Sequence, residues 1–212
     1  EECVTHGLGW ALRYGCYRGS RLQTLICVIS TKLHRMTGIY GKINYICLTE
    51  FNKEKLLHLK QVRPERVFVK PNFVERTVDF IPEQKRRDQF VFAGRLEKLK
   101  GIDILLKAWK QLDNPAPKLI LCGTGPLEEW CREFIDKYNL NVELKGFTSN
   151  MDVRNLIAES KALILPTQCY EGFPMVIIEA YSVGTPVICG NIGNAGCSVI
   201  EDQTGWKYQY NN

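Results

Sequence analysis

From residue 89 onward the chain alternates short, β-branched apolar runs with helical ones, and this alternation constrains the fold more than any other feature. QFVFAG (89–94), KLILCG (118–123), NVELKG (141–146), KALILP (161–166) and TPVICG (185–190) read as strands. IDILLKAWKQL (102–112), PLEEWCREFIDKY (126–138), NMDVRNLIAES (150–160) and PMVIIEAYSVG (174–184) read as the helices between them. A short helix near 195–201 and a strand at 204–208 follow. Strands in strict alternation with helices build a parallel, doubly wound α/β sheet. In such a sheet ligands bind beyond the carboxyl ends of the strands, so the loops that leave them are where chemistry is expected.

The first part of the chain is less regular. Leu22, Leu25, Ile26, Ile29, Leu33 and Met36 recur at helical spacing over 20–37, with Arg21, Lys32 and Arg35 toward another face. INYICLT (43–49) and RVFVK (66–70) read as strands, and NKEKLLHLK (52–60) as a helix capped by Asn52. Between Pro71 and Arg87 periodicity is lost, which reads as a linker.

Charge is divided unevenly along the chain. Residues 1–87 carry a net +8 and residues 88–212 a net −3, an asymmetry that suits contact with a polyanion or an anionic membrane. The longest uncharged run, 180–200, is broken by four glycines and Pro186, so it does not read as a membrane span. Nine cysteines at irregular spacings, without a CxxC pair, fit a reducing compartment better than a disulfide framework or a zinc ribbon. Glu1 and Glu2 replace the basic start of a signal peptide, and the chain is expected to begin inside a longer protein.

Three loops after strands carry candidate chemistry. Gly94-Arg95-Leu96-Glu97-Lys98-Leu99-Lys100-Gly101 places Arg95 and Lys100 before a helix, where cations and helix amides could hold a pyrophosphate. Gly123-Thr124-Gly125 resembles the start of a dinucleotide fingerprint, but Glu128 stands where the third glycine is needed, and no GxxxxGK[ST] loop exists. Pro166 to Pro174 contains Glu171 and Gly172 and opens the helix that carries Glu179. A carboxylate beside exposed amides suits a hydroxylated ligand, and a glycosidase-like acid/base pair is the rival chemistry. Glu179 lies on an otherwise apolar helix, where an unpaired carboxylate would be expensive.

GRLEKLKGIDILLKA, LCGTGPLEE, KGF and PTQCYEGFPMVIIEAYSVGTPVI resemble the retaining glycosyltransferases of family 4, also called group 1. RYGCYRGSR, INYICLTEFNKEKLL and RVFVKPNFV are similar to a bacterial branch of that family. The resemblance implies a GT-B fold: two Rossmann-like doubly wound parallel-sheet domains, the first only partly present. The expected division is 1–78 for the end of the acceptor-side domain, 79–88 for the linker and 89–212 for the donor-binding domain, without its closing helices. The resemblance implies that Arg95 and Lys100 hold the donor diphosphate, that Glu179 binds the ribose and that Glu171 reaches the sugar as the catalytic residue of the Glu-x7-Glu pattern. It further implies backbone contacts to sugar or phosphate at Gly172, Phe173 and Met175, with Gly146 and Phe147 near the base. No metal or other cofactor is implied. His6, His34 and His58 do not match the histidine that the family uses near its reaction centre.

The expected activity is transfer of a sugar, with retention, from a UDP-, GDP- or ADP-linked donor to a polysaccharide or lipid-linked acceptor. The isolated chain is expected to be inactive. Expected further are a place in cell-envelope polysaccharide synthesis, a cytoplasmic location and peripheral contact with an anionic membrane surface. The rival classes are a non-catalytic nucleotide-sugar-binding module and a nucleic-acid binder built on residues 1–87; no recognised nucleic-acid motif supports the latter, and nucleic acid is not an expected partner.

Overall fold

The computed structural model describes residues 6–75 and 78–209. The chain forms two compact units that divide between Pro71 and Asn72.

The second unit is a six-stranded, wholly parallel sheet. Its strands are β3 (Gln89–Ala93), β4 (Lys118–Cys122), β5 (Val142–Gly146), β6 (Ala162–Leu165), β7 (Val187–Gly190) and β8 (Gly205–Tyr208), in the order β5-β4-β3-β6-β7-β8. Helices α4 (Ile102–Trp109), α5 (Glu128–Tyr138), α6 (Asn150–Glu159), α7 (Met175–Ser182) and α8 (Gly193–Ser198) fall between consecutive strands. Side chains alternate across a strand, so neighbouring apolar residues serve opposite faces. Val91, Ile120, Leu163 and Val187 form one core with Ile157 of α6 and Ile177 and Ala180 of α7. Phe92, Leu119, Leu121 and Ile164 form the other with Ile102, Leu105, Leu106 and Trp109 of α4 and Cys131 of α5. Both faces are covered, which is why these strands read as nearly continuous apolar runs. The strand order reverses between β3 and β6, and that switch point opens a crevice at their carboxyl ends.

The first unit contains α1 (Gly9–Tyr14), α2 (Arg21–Met36), β1 (Tyr45–Cys47), α3 (Glu50–Leu57) and β2 (Val67–Val69). β1 and β2 pair in parallel around a small core of Cys47, Val62 and Val67. The Ser20 side chain caps α2 by accepting from the Gln23 N–H. The apolar residues at helical spacing lie on an uncovered face of this helix: Leu22, Leu25, Ile26, Ile29, Leu33 and Met36 are exposed, and the buried residues are Thr24 and Val28. Periodicity shows that a helix has an apolar face, but not what covers it. The cap of α3 also differs from expectation. Thr49, not Asn52, stands outside the helix in extended conformation, and its hydroxyl accepts from the Asn52 N–H.

The stretch expected as a linker, 79–88, is packed into the second unit. Arg86 is 7% exposed and donates from Nε to the Ile81 carbonyl and from Nη2 to the Gly184 carbonyl, both at 2.9 Å. Burial lowers the pKa of this guanidinium. Among the described residues no helix is long and apolar enough to cross a membrane. The eight described cysteines are free, and Cys3 lies outside the described residues.

Candidate functional site

The loops after β3 and β6 are laced together at the switch point. Gly101 has φ +71°, and a Cβ there would fall on the carbonyl oxygen of Pro166, so only glycine lets the two loops touch. The Leu99 carbonyl then accepts from the Gln168 N–H at 2.8 Å. This contact brings Lys100 to Glu171: Nζ lies 2.5 Å from Oε1, with the side chains 26% and 15% exposed. The buried Thr167 hydroxyl is 2.9 Å from the same Oε1 and 3.3 Å from the Leu99 carbonyl. Its single proton favours the shorter contact.

At the carboxyl ends of β3 and β4 opens a cleft of about 770 Å³, lined by Arg95, the Gly123-Thr124-Gly125 turn, Phe147, Arg154, Met175 and Glu179, among others. Its floor depends on a second close approach, since a Cβ on Gly123 (φ +139°) would fall on the Gly94 carbonyl oxygen. Arg95 is 64% exposed on its side chain, with Nε 3.4 Å from Glu97. Phe147 is exposed to solvent at the rim. Gly146 stands behind it, its carbonyl accepting from the Gly123 N–H at 2.8 Å. Met175 and Val176 bring the first turn of α7 to the cleft, where a helix presents N–H groups without partners in the helix itself.

Glu179, one turn further along α7, meets Arg154 of α6. Nε and Nη2 each lie 3.3 Å from its Oε1, and the side chains are 18% and 13% exposed for Arg154 and Glu179. The cost of a carboxylate on an apolar helix is thus offset by a partner 25 residues earlier. Cys122 also lines the cleft, and burial raises its pKa, so it stays a thiol.

Arg95, Phe147, Met175 and Glu179 therefore share one cleft, while Lys100 and Glu171 hold each other on the loops after β3 and β6 and are not among the residues that line it. Gly172 is exposed and Phe173 half-buried in the same loop. Arg154 and Thr167 are absent from the sequence expectation. Glu179 signals that some cation is needed, but nothing local to α6 marks Arg154 as that cation. Among the described residues, no group of three or more His, Cys, Asp and Glu side chains is placed to hold a metal ion.

The profile of the family Glycosyl transferases group 1 matches residues 74–212. The chain is 35% identical over 155 residues to one component of the human phosphatidylinositol N-acetylglucosaminyltransferase, covering 70% of this chain and 32% of that protein. It is 24% identical over 247 residues to an uncharacterised glycosyltransferase of Methanocaldococcus jannaschii, covering all of this chain and 62% of the relative. Among solved structures, Anabaena HepE in complex with UDP and glucose superposes with a TM-score of 0.69 at 20% identity, over 86% of this chain and 54% of that one. The chain thus spans less than two thirds of each of these proteins. Its parallel α/β architecture is that of GT-B glycosyltransferase structures, and with the family profile matching most of its length, the chain belongs to the group 1 glycosyl transferases.

Proposed function

We propose that the unit from Asn72 binds a nucleotide-diphosphate sugar at the switch-point crevice, and that the protein transfers the sugar, with retention, to a lipid-linked or polysaccharide acceptor. The observation that carries this reading is the convergence of Arg95, the Lys100–Glu171 pair, the start of α7 and Glu179 at one end of one sheet. The presence of UDP and glucose in the HepE structure supports a nucleotide-sugar donor. The phosphatidylinositol in the human relative's name supports a lipid-linked acceptor.

In this reading the base lies toward Gly146 and Phe147, and Glu179 accepts hydrogen bonds from the ribose hydroxyls. The diphosphate lies against Arg95, Lys100 and the first turn of α7 at Met175. The sugar reaches Glu171, Gly172 and Phe173. In the free protein Lys100 is held by Glu171. Binding exchanges these partners: the ammonium moves to a phosphate oxygen, and the carboxylate turns to sugar hydroxyls. Fixed cations and helix amides then neutralise the leaving diphosphate without a metal ion, because they are aimed before the bond breaks.

Two observations extend the proposal to location. Exposed free thiols at Cys16, Cys27 and Cys197 fit a reducing, cytoplasmic compartment. The uncovered apolar residues of α2, next to Arg21, Lys32 and Arg35, fit peripheral docking on anionic lipid.

A thermal-shift panel of UDP-, GDP- and ADP-sugars tests the donor reading. A ligand at about 100 times its dissociation constant stabilises by about 2.7 kcal/mol, so one class of donor should raise the melting temperature. No shift with any of them would sink the reading.

A further inference from the structure

Asn194 lies in α8, just after β7, and is fully buried. Its Nδ2 donates to two consecutive carbonyls of the loop after β6: Glu171 at 2.7 Å and Gly172 at 2.6 Å. A side-chain amide carries two N–H hydrogens, one for each carbonyl. The contact is fitted sterically as well. Gly193, with φ +50°, lies so close to the Tyr170 ring that a Cβ would come within 2.6 Å of it. The start of α8 is therefore built against the loop from 170 to 172.

A trans peptide unit is planar, so a carbonyl turned toward Asn194 sends the next residue's N–H the opposite way. The two carbonyls thereby fix the directions of the Gly172 and Phe173 N–H groups. Through the Gly172 carbonyl, the Phe173 N–H is turned away from the Asn194 side-chain amide. The same anchoring fixes the backbone of Glu171, whose carboxylate meets Lys100 and Thr167.

We infer that Asn194 is a positioning residue of the donor site: it touches no ligand, but orients two peptide planes so that Glu171 and the Phe173 N–H are aimed where the sugar and its phosphate would lie. The inference rests on the donor reading given above. It adds that the sugar-facing half of the site is set from α8, separately from the ribose-facing half at Glu179 and Arg154.

The test is Asn194→Asp, which keeps the shape but replaces two donors with an acceptor facing two carbonyls. Titration calorimetry on the 212-residue chain would compare a nucleotide-diphosphate sugar with the bare nucleoside. Affinity for the nucleotide sugar should fall about tenfold or more, the scale of a lost hydrogen-bonded contact, while nucleoside affinity stays within about twofold. Unchanged nucleotide-sugar affinity in a folded variant would overturn the inference. Equal losses for both ligands would do the same, since they would show general loosening. If the variant does not fold, the wild-type chain labelled with 15N decides. The Gly172 and Phe173 amide resonances should shift with the nucleotide sugar and not with the nucleoside, and static resonances would overturn the inference. A wild-type chain that binds neither ligand would remove the donor reading itself, which is a distinguishable failure.

Discussion

Helices α2 and α4 are both amphipathic, yet they meet different surroundings. The eight residues of α4 bury Ile102, Leu105, Leu106 and Trp109 against the six-stranded sheet, and Trp109 also donates from Nε1 to the Pro117 carbonyl at 3.0 Å. The sixteen residues of α2 bury Thr24 and Val28, and leave Leu22 70% and Met36 82% exposed. Amphipathy is a local property of a sequence, whereas cover is supplied by topology. A wide parallel sheet offers α4 a wall on which every apolar residue finds neighbours. The β1–β2 pair of the first unit is three residues long on each strand and offers no comparable surface.

The largest test of this contrast is a pair of truncations. Leu106→Ala removes a fully buried side chain and should destabilise the second unit by about 2–5 kcal/mol, transfer and cavity terms together. Leu22→Ala should change stability by no more than about 0.5 kcal/mol, as for an ordinary surface substitution. Urea denaturation with residue-resolved hydrogen exchange separates the two units. Equal costs at the two positions would mean that α2 is covered after all.

A similar contrast between covered and open groups holds for Lys100 and Arg95. Lys100 is mostly buried and shares its charge with Glu171, while Arg95 is mostly exposed. On the proposed donor reading, Lys100→Ala removes a phosphate ligand and leaves Glu171 to repel the diphosphate. It should weaken binding of a nucleoside diphosphate by about 2–3 kcal/mol, against about 1–1.5 kcal/mol for Arg95→Ala. Bare nucleoside binding should hold in both variants. Titration calorimetry giving the reverse order would place the diphosphate nearer the Gly123 turn than the Lys100–Glu171 pair.

What the sequence discloses follows the same division. Val91 and Phe92 alternate between two buried faces, so the doubly wound sheet can be read from β-branched runs and their spacing. Glu171 and Glu179 are visible because a carboxylate in a loop before an apolar helix, and another within it, demand a reason. Arg154 and Asn194 are not visible, because their partners lie 22–25 residues away and the meeting depends on how α6, α7 and α8 stack. Residues 79–88 read as a linker because they lack periodicity. Arg86 nevertheless ties them down through two backbone carbonyls, an interaction that leaves no periodic trace. At α3, Thr49 and Asn52 are both good caps, and only the backbone dihedrals decide between them.

A smaller effect concerns the open face of α2. If it docks on anionic lipid, Lys32→Gln and Arg35→Gln should each cost about 1 kcal/mol of binding to phosphatidylserine vesicles. Leu33→Ser should weaken binding to neutral and anionic vesicles alike. Co-sedimentation showing no preference for anionic over neutral lipid would leave the apolar stripe without a lipid partner.

The smallest effect tests how the sheet treats its own open edge. β5 is an edge strand, and an edge is commonly blunted by charge. Glu143 on β5 lies 2.6 Å from Lys118 Nζ and 2.8 Å from Lys145 Nζ. Hydrogen bonds from Lys118 and then Lys145 hold its pKa down at about 2, against 4.5 for an isolated glutamate. A carboxyl whose folded value lies below its unfolded one stabilises the fold above the unfolded value, and loses that contribution as pH falls through the folded value. The contribution should therefore be complete above about pH 5 and gone below about pH 2. Because the Glu143 side chain is 39% exposed, solvent screens the two pairs, and the whole contribution should be about 0.5–1 kcal/mol. Glu143→Gln should lower stability by that amount at about pH 7 and by nothing at about pH 2, in low salt, with the gap at neutral pH narrowing in about 1 M salt, where the Debye length falls to about 3 Å. A gap that persists unchanged at low pH would show that Glu143 acts through packing on the edge strand rather than through its charge.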